Sequence, residues 1–346
     1  MQKGDIQKFA DFIKTKQKII ILLHNNPDPD AIGSALGMKA LFRTISKSKV
    51  KIVFGGIIGR AENRELIRRL KVRMTNINDI DLKRHHNIVM VDTQPNIGNN
   101  SLPKGIWPKV IIDHHPLKKI ALKSVCCDVR VDYGSTSSIV LEYLKEFDVK
   151  IDKKLATALY YGIQTDTDDL GRDRSKNDAD AMTFLYPLIS HVTLSNIRHP
   201  RIPKDYYVHF HEAVNNACVY NDVLISDLKN KCTPEMIAEM SDFFLRMMGI
   251  RWVLCFGTHG EGLYFSLRTT ARSLRAGTAA IRIAKGVGLA GGHHKSAGGR
   301  IGINDKSDEE IEEIKELIQV RFLKAIKRAT VKCKKVIKEE VEDEKV

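Results

Sequence analysis

Eight residues of this 346-residue sequence combine types and spacings suited to hard-metal chemistry: His24, Asp28, Asp30, Asp92, Asp113, His114, His115 and Asp166. His24, Asp28 and Asp30 fall within seven residues, on a turn stiffened by Pro27 and Pro29. Asp28 and Asp30 are two apart, so an extended turn points them to different sides and lets each serve a different ion. Asp30 also stands where a helix is expected to begin, and a carboxylate there can simply cap free backbone N–H groups. Asp92 and Asp166, taken singly, read equally well as turn caps. The adjacent run Asp113-His114-His115 is harder to explain that way. Carboxylates with imidazoles and no thiolate suit Mn²⁺ or Mg²⁺ better than a structural zinc.

The surrounding pattern shows what must position these groups. Short continuous apolar runs at 19–23, 50–54, 88–91 and 110–112 read as strands buried on both faces. Ile32, Ala35, Leu36 and Ala40 make one stripe of an intervening helix, with Lys39 and Arg43 off it. Residues 135–147 and 153–164 read as further helices. This order predicts an α/β fold: a doubly wound, mostly parallel sheet followed by a second, smaller α/β domain. Three of the strands run directly into His24, Asp92 and Asp113. Ligands of open α/β sheets bind at the carboxyl ends of strands, so one edge receives all three.

The expected organisation is a first domain over 1–190, a partly helical linker over 191–210, a second domain over 211–330 and a charged, disordered tail over 331–346. Pro187, Pro200 and Pro203 mark the linker region. In the second domain, 252–256 and 262–267 read as strands, and Ser307 with Glu310 forms a capping box for a closing helix from Asp308. Gly291-Gly292-His293-His294-Lys295-Ser296-Ala297-Gly298-Gly299 lets backbone N–H groups approach an anion closely, as in phosphate-cradling loops.

Composition bounds the class. Hydrophobic residues make up 43% and charged residues 28%, an ordinary globular mix. The net charge of +14 favours polyanionic partners, although a solvated basic surface explains it equally well. No apolar run approaches the roughly 18 residues that span a bilayer, and the first 18 residues lack a signal-peptide pattern. The expectation is a cytoplasmic protein without a membrane partner. Its cysteines, 126, 127, 218, 232, 255 and 333, are scattered without a C-x-x-C pair and read as reduced thiols.

The four N-terminal motifs, in this order, resemble those of the DHH phosphoesterases. These include RecJ-like exonucleases, nano-RNases, pAp phosphatases, cyclic-dinucleotide phosphodiesterases and exopolyphosphatase relatives. The glycine-rich segment resembles the signature of the DHH-associated substrate-binding domain, with His294 as its key histidine. Ser266-Leu267-Arg268 resembles the strand that supplies a substrate arginine there. The resemblance covers roughly residues 15–325 and implies a two-metal site loaded with Mn²⁺, or with Mg²⁺ or Co²⁺. One ion is then held by His24, Asp28 and Asp92, the other by Asp30, Asp92, His114 and Asp166. Asp113 is implied to orient the histidines, and His115 to contact phosphate or move a proton. Arg268, Ser266, Gly291, Gly292, His294 and Gly298 are the implied substrate contacts, with the scissile phosphate in a cleft between the domains.

Two departures from the family pattern stand out. Pro29 occupies a position where many relatives carry glycine. After Asp166 the chain reads Thr167-Asp168-Asp169-Leu170-Gly171-Arg172, which adds negative charge and displaces the arginine; Arg272 and Arg275 read as an ordinary helix face. The expected substrate is a short single-stranded oligonucleotide or a nucleotide phosphate such as pAp, with a homodimer as a further expectation. Alternatives are a phosphatase of short polyphosphate, a dinucleotide phosphodiesterase, or a non-catalytic nucleic-acid-binding protein.

Overall fold

A computed structural model describes residues 3–14, 17–84, 87–171, 174–229, 232–271, 274–292, 294–328 and 333–337. Arg172, Arg272, His293 and the rest of the expected tail lie outside these residues. The chain divides into two compact units, Met1–Arg201 and Ile202–Val346.

The first unit runs α1 (Lys3–Lys14), β1 (Lys18–Leu22), α2 (Pro29–Ile45), β2 (Lys49–Phe54), α3 (Ala61–Arg69), β3 (Met74–Asn76), β4 (Ile88–Val91), β5 (Val110–Asp113) and β6 (Cys126–Val129). It closes with α4 (Thr136–Glu146), α5 (Lys153–Asp166), α6 (Lys176–Leu185) and α7 (His191–Arg198). Its six strands form a sheet in the order β3-β2-β1-β4-β5-β6, with every pairing parallel. β4 and β5 are buried throughout and apolar up to the closing Asp113 of β5, as a sheet covered on both faces requires. Ile19, Ile21, Val89 and Ile112 face a core shared with α2, α4 and α5. Ile20, Leu22, Met90 and Ile111 face the opposite way, onto Leu82, Ala121, Leu102 and Ile106 from short 3₁₀ turns and loops.

The strand order reverses direction between β1 and β4, which leaves a crevice at their carboxyl ends. Leu22 pairs with Met90, and Met90 with Ile111. His24, Asp92 and Asp113 each lie two residues beyond that matched row. Register alone therefore brings them to one level at the crevice.

α2 packs on α4 and α5 at glycine contacts. A Cβ on Gly33 would sit 2.7 Å from Ala158 O, and one on Gly162 would sit 3.0 Å from Asp30 Cα. Backbones this close fix the start of α2 against α5.

The second unit contains α8 (Lys204–Asn215), β7 (Cys218–Tyr220), β8 (Val223–Asp227), α9 (Pro234–Phe244), β9 (Trp252–His259), β10 (Gly262–Thr269), α10 (Ala276–Ala284), β11 (Leu289–Gly292), β12 (Ser296–Gly302), α11 (Asp308–Ala325) and β13 (Lys334–Lys335). Its seven strands are ordered β11-β12-β10-β9-β8-β7-β13, antiparallel except between β8 and β9. The Ser307–Glu310 capping box opens α11 with both reciprocal bonds present.

Residues 191–210, expected as a partly helical connection, hold α7 and the start of α8, with Pro200 and Pro203 in the break between them. The expectation of six reduced thiols is corrected here. Cys218 and Cys333 are bridged, their Cα atoms 5.6 Å apart, so these two are not separate thiols. Lys334 and Lys335 pair with Val219 and Cys218, which orders part of the expected tail. A separation of 115 residues hides this pairing from any reading of cysteine spacing. Among the described residues, no helix is long and apolar enough to cross a membrane.

Candidate metal centre

His24 follows β1, and its Nδ1 lies 2.9 Å from Asn25 O. That bond directs Nε2 inward, 3.6 Å from Asp28 Oδ2 and 3.5 Å from Asp92 Oδ2. Asp28, not Asp30, is the cap of α2: its Oδ1 accepts from Ala31 N at 3.0 Å. Pro29 takes the first helical position, where its missing N–H costs nothing, so the departure from glycine fits the local backbone.

Asp30 lies inside α2 and caps a different helix. Its Oδ2 accepts from Thr136 N at 2.7 Å and its Oδ1 from Ser137 N at 2.8 Å, at the start of α4. The capping role foreseen for Asp30 thus belongs to a segment more than a hundred residues away. The sequence signal for it is the run Ser135-Thr136-Ser137-Ser138.

Asp92 stands directly after β4 with φ of 60°, a left-handed conformation unusual for a residue with a side chain. Its Oδ1 accepts from Thr136 Oγ1 at 2.9 Å and lies 3.6 Å from His114 Nε2. One carboxylate therefore faces His24 with one oxygen and His114 with the other.

His114 Nδ1 lies 3.2 Å from Tyr133 O. Its Nε2 approaches Asp166 Oδ2 to 3.1 Å, yet it is buried and makes no hydrogen bond of acceptable geometry. An orphaned buried imidazole nitrogen ringed by carboxylates fits a cation site. His115 Nδ1 lies 2.9 Å from Asp113 Oδ1. Asp113 also accepts from the backbone N of His114 and from Gln94 Nε2 at 2.6 Å. Gln94 in turn accepts from Lys118 N. Sequence reasoning missed Gln94, though its place two residues past Asp92 was a usable signal.

Asp166 ends α5 instead of following it. Asp168, Asp169 and Leu170 then hold three consecutive left-handed conformations. Asp169 bonds Gln164 through its carboxylate, and both added acids are exposed.

Three groups of ligand atoms lie within 4.8 Å of one another: His24 with Asp28 and Asp92; Asp30 with His114 and Asp166; and Asp92 with His114 and His115. Electrostatics match a site lacking positive charge. Burial, then Asp92 and Asp166, push the Asp30 carboxyl well above the usual range. Burial, with Asp28 and Asp92, also raises Asp166. Burial opposes the charged imidazoles of His24 and His114, but the surrounding carboxylates outweigh it and raise both well above 6.5. Desolvation works against ionisation of Asp28, yet His24 and the Ala31 N–H hold it low. His24, His114, Asp30 and Asp166 thus favour protons where divalent cations would neutralise the same carboxylates.

In the second unit, Gly291 pairs with Gly298, and Gly298 with Ser266, in one row across β11, β12 and β10. Gly292 has φ of 152° and leaves no space for a Cβ, whereas a Cβ on Gly291 meets nothing within 4 Å. His294 is exposed in the turn between β11 and β12. Arg268 is not an open guanidinium. Its Nε bonds Asp242 Oδ1 on α9 at 2.5 Å, and its Nη1 bonds Ser266 Oγ at 2.9 Å and Leu267 O at 3.0 Å. The Asp242 partner had no signal in the sequence pattern.

Residues 18–163 match the DHH family N-terminal domain and residues 220–320 the DHHA1 domain. It is 33% identical over 319 residues to an uncharacterised protein of Methanocaldococcus jannaschii, MJ1633, covering 90% of this chain and 64% of that protein. It is 29% identical over 174 residues to the bifunctional oligoribonuclease and PAP phosphatase NrnA of Mycoplasma genitalium, covering 48% of this chain and 52% of that one. The chain thus spans less than two thirds of the length of either relative. Among solved structures, an exopolyphosphatase-related protein from Bacteroides fragilis shares the fold with a TM-score of 0.74 at 16% identity, covering 94% of this chain and 98% of that one. RecJ from Thermus thermophilus in complex with Mn²⁺ gives 0.50 at 12% identity, covering 93% and 55%.

Proposed function

We propose that the protein is a metal-dependent phosphoesterase acting on short oligonucleotides and on nucleotide phosphates of the pAp type. The observation that supports it most directly is the buried, orphaned Nε2 of His114 amid Asp30, Asp92 and Asp166, beside the matching trio of His24, Asp28 and Asp92. His24, Asp28 and Asp92 would hold one cation, and Asp30, His114 and Asp166 a second, with Asp92 shared between them. Two such ions, when bound, supply Lewis-acid charge at a phosphoryl group and activate water for in-line attack. Mn²⁺ is the ion we assign, on the oxygen- and nitrogen-rich donor set.

The chain's own residues do the remaining work. Asp113 fixes the His115 ring through Nδ1. Burial lowers the His115 pKa, but Asp113 and Asp92 outweigh it, so the imidazole is raised above 6.5 and is poised to contact phosphate or give up a proton. His294, with the bare backbone of Gly291, Gly292 and Gly298, is assigned to the substrate's phosphate or terminal nucleotide, and Arg268 and Ser266 would join it only by exchanging their bonds to Asp242 and to each other. The nucleotide substrate class rests on the NrnA relative.

The test is hydrolysis of a labelled RNA dinucleotide, pAp and short polyphosphate, each with Mn²⁺ and with chelator. Release of mononucleotides with Mn²⁺, abolished by chelator and by Asp92→Ala, is the expected result. Activity on polyphosphate alone would keep the chemistry and replace the substrate. Binding of RNA with no hydrolysis under any divalent metal would overturn the reading.

A further inference from the structure

We propose that Asp178, which belongs to none of the ligand groups, is a positioning residue for the metal centre. The inference rests on the two-metal reading above. Asp178 is fully buried at the start of α6. Its Oδ2 accepts from Ser175 N and Ser175 Oγ, both at 2.7 Å, which completes a capping box. A helix cap needs no more than that. Yet the same Oδ2 also accepts from Gly134 N at 2.8 Å, and Oδ1 accepts from Ser138 Oγ at 2.6 Å. Neither Gly134 nor Ser138 belongs to α6.

Gly134 and Ser138 bracket the residues that orient the ligands. Tyr133 O lies next to Gly134 and fixes His114 Nδ1. Thr136 N and Ser137 N hold the two oxygens of Asp30, and Thr136 Oγ1 holds Asp92. On its other side, Asp178 grips Ser175, where the segment that leaves Asp166 enters α6. A single carboxylate thus ties the entry of α4 to the start of α6. Asp30, Asp92 and His114 all depend on the entry of α4. Partners behind a metal ligand commonly tune affinity by about 10–100-fold when they are lost.

The experiment is Mn²⁺ titration followed by electron paramagnetic resonance, on folded protein well below its melting temperature. Asp178→Ala is expected to weaken Mn²⁺ binding by about tenfold or more. Asp178→Asn restores most of it, because the amide oxygen still accepts from Gly134 N and the amide nitrogen can donate to Ser138 Oγ. Ser175→Ala removes the hydroxyl that caps α6 and its bond to Asp178 Oδ2, but keeps the bonds from Ser175 N, Gly134 N and Ser138 Oγ, so it lowers the melting temperature and leaves Mn²⁺ affinity unchanged. If Asp178→Ala behaves like Ser175→Ala, with stability lost and affinity intact, Asp178 is only a helix cap and the proposal fails. Should Asp178→Ala not fold, Ser138→Ala cuts the link at Oδ1 alone. A loss of a few-fold in affinity is then expected, and unchanged affinity overturns the proposal. Wild-type protein that binds no Mn²⁺ overturns the metal reading itself, an outcome distinct from either variant result.

Discussion

Asp113 Oδ1 lies 2.9 Å from His115 Nδ1, while Asp113 Oδ2 is held by Gln94 Nε2 at 2.6 Å. The carboxylate is fully buried, so desolvation alone would raise its pKa; the bonds from His115 and Gln94 outweigh that and keep it ionised. His115 is thereby held in one orientation and biased towards its charged form.

Asp113→Asn keeps the shape and removes the charge. The His115 pKa falls, so any step that needs cationic His115 loses its alkaline limb at a lower pH. A kcat lower by about 10–100-fold is expected, with Mn²⁺ affinity nearly retained. A pH–rate profile of wild type and variant checks the direction; a limb that stays in place would remove His115 from proton transfer.

Gly162→Ala should damage the site from behind. Its Cβ would sit 2.5 Å from Ser137 Oγ and 3.0 Å from Asp30 Cα, inside the contact that seats Asp30 on the start of α4. Overpacking of this kind costs about 1–3 kcal/mol, and here the strain falls on a candidate ligand. Denaturant unfolding should show that loss, and Mn²⁺ affinity should drop with it. A variant that is destabilised yet binds Mn²⁺ normally would mean that α2 relaxes elsewhere.

The convergence of the candidate ligands was legible because buried strands announce themselves as short apolar runs, and His24, Asp92 and Asp113, which follow three of them, converge by topology alone. What stayed hidden was pairing across long separations. Asp30 reads locally as a cap for its own helix, yet it caps α4, because α2 and α4 meet only after folding. Gln94, Thr136 and Asp178 are ordinary polar residues until the sheet brings them to the centre. Arg268 reads as an open anion contact, and only the packing of α9 on β10 shows Asp242 in its fork. Cys218 and Cys333 meet only through the pairing of β13 with β7.

The glycines of β11 separate fold from ligand. Gly292 adopts φ of 152°, and a Cβ there would meet Ala297 Cα at 2.4 Å, so Gly292→Ala should destabilise the second unit. Gly291 has open space around its Cβ direction, and folding gives no reason for glycine there. Gly291→Ala should therefore leave the melting temperature within about 1 °C, as a surface change does, and raise KM if a phosphate lies against its backbone. Unchanged KM would take Gly291 out of the substrate contacts.

Proton linkage gives the metal centre a pH signature. In metal-free protein His24, His114, His115, Asp30 and Asp166 all have raised pKa values. Each binds its proton more tightly folded than unfolded. For the histidines this stabilisation is complete below about pH 6.5 and is lost as pH rises through the raised folded values. Asp28 and Asp113 run the other way, but their depressed values place the change below about pH 5. Between about pH 6 and 8 these groups therefore make the metal-free melting temperature fall as pH rises. Mn²⁺ needs neutral imidazoles and ionised carboxylates, so binding expels the same protons. The stabilisation conferred by Mn²⁺ should grow from about pH 6 to 8, and calorimetry at pH 7 in buffers of different ionisation enthalpy should register proton release. A Mn²⁺ stabilisation flat with pH, without proton release, would place the ion on other ligands.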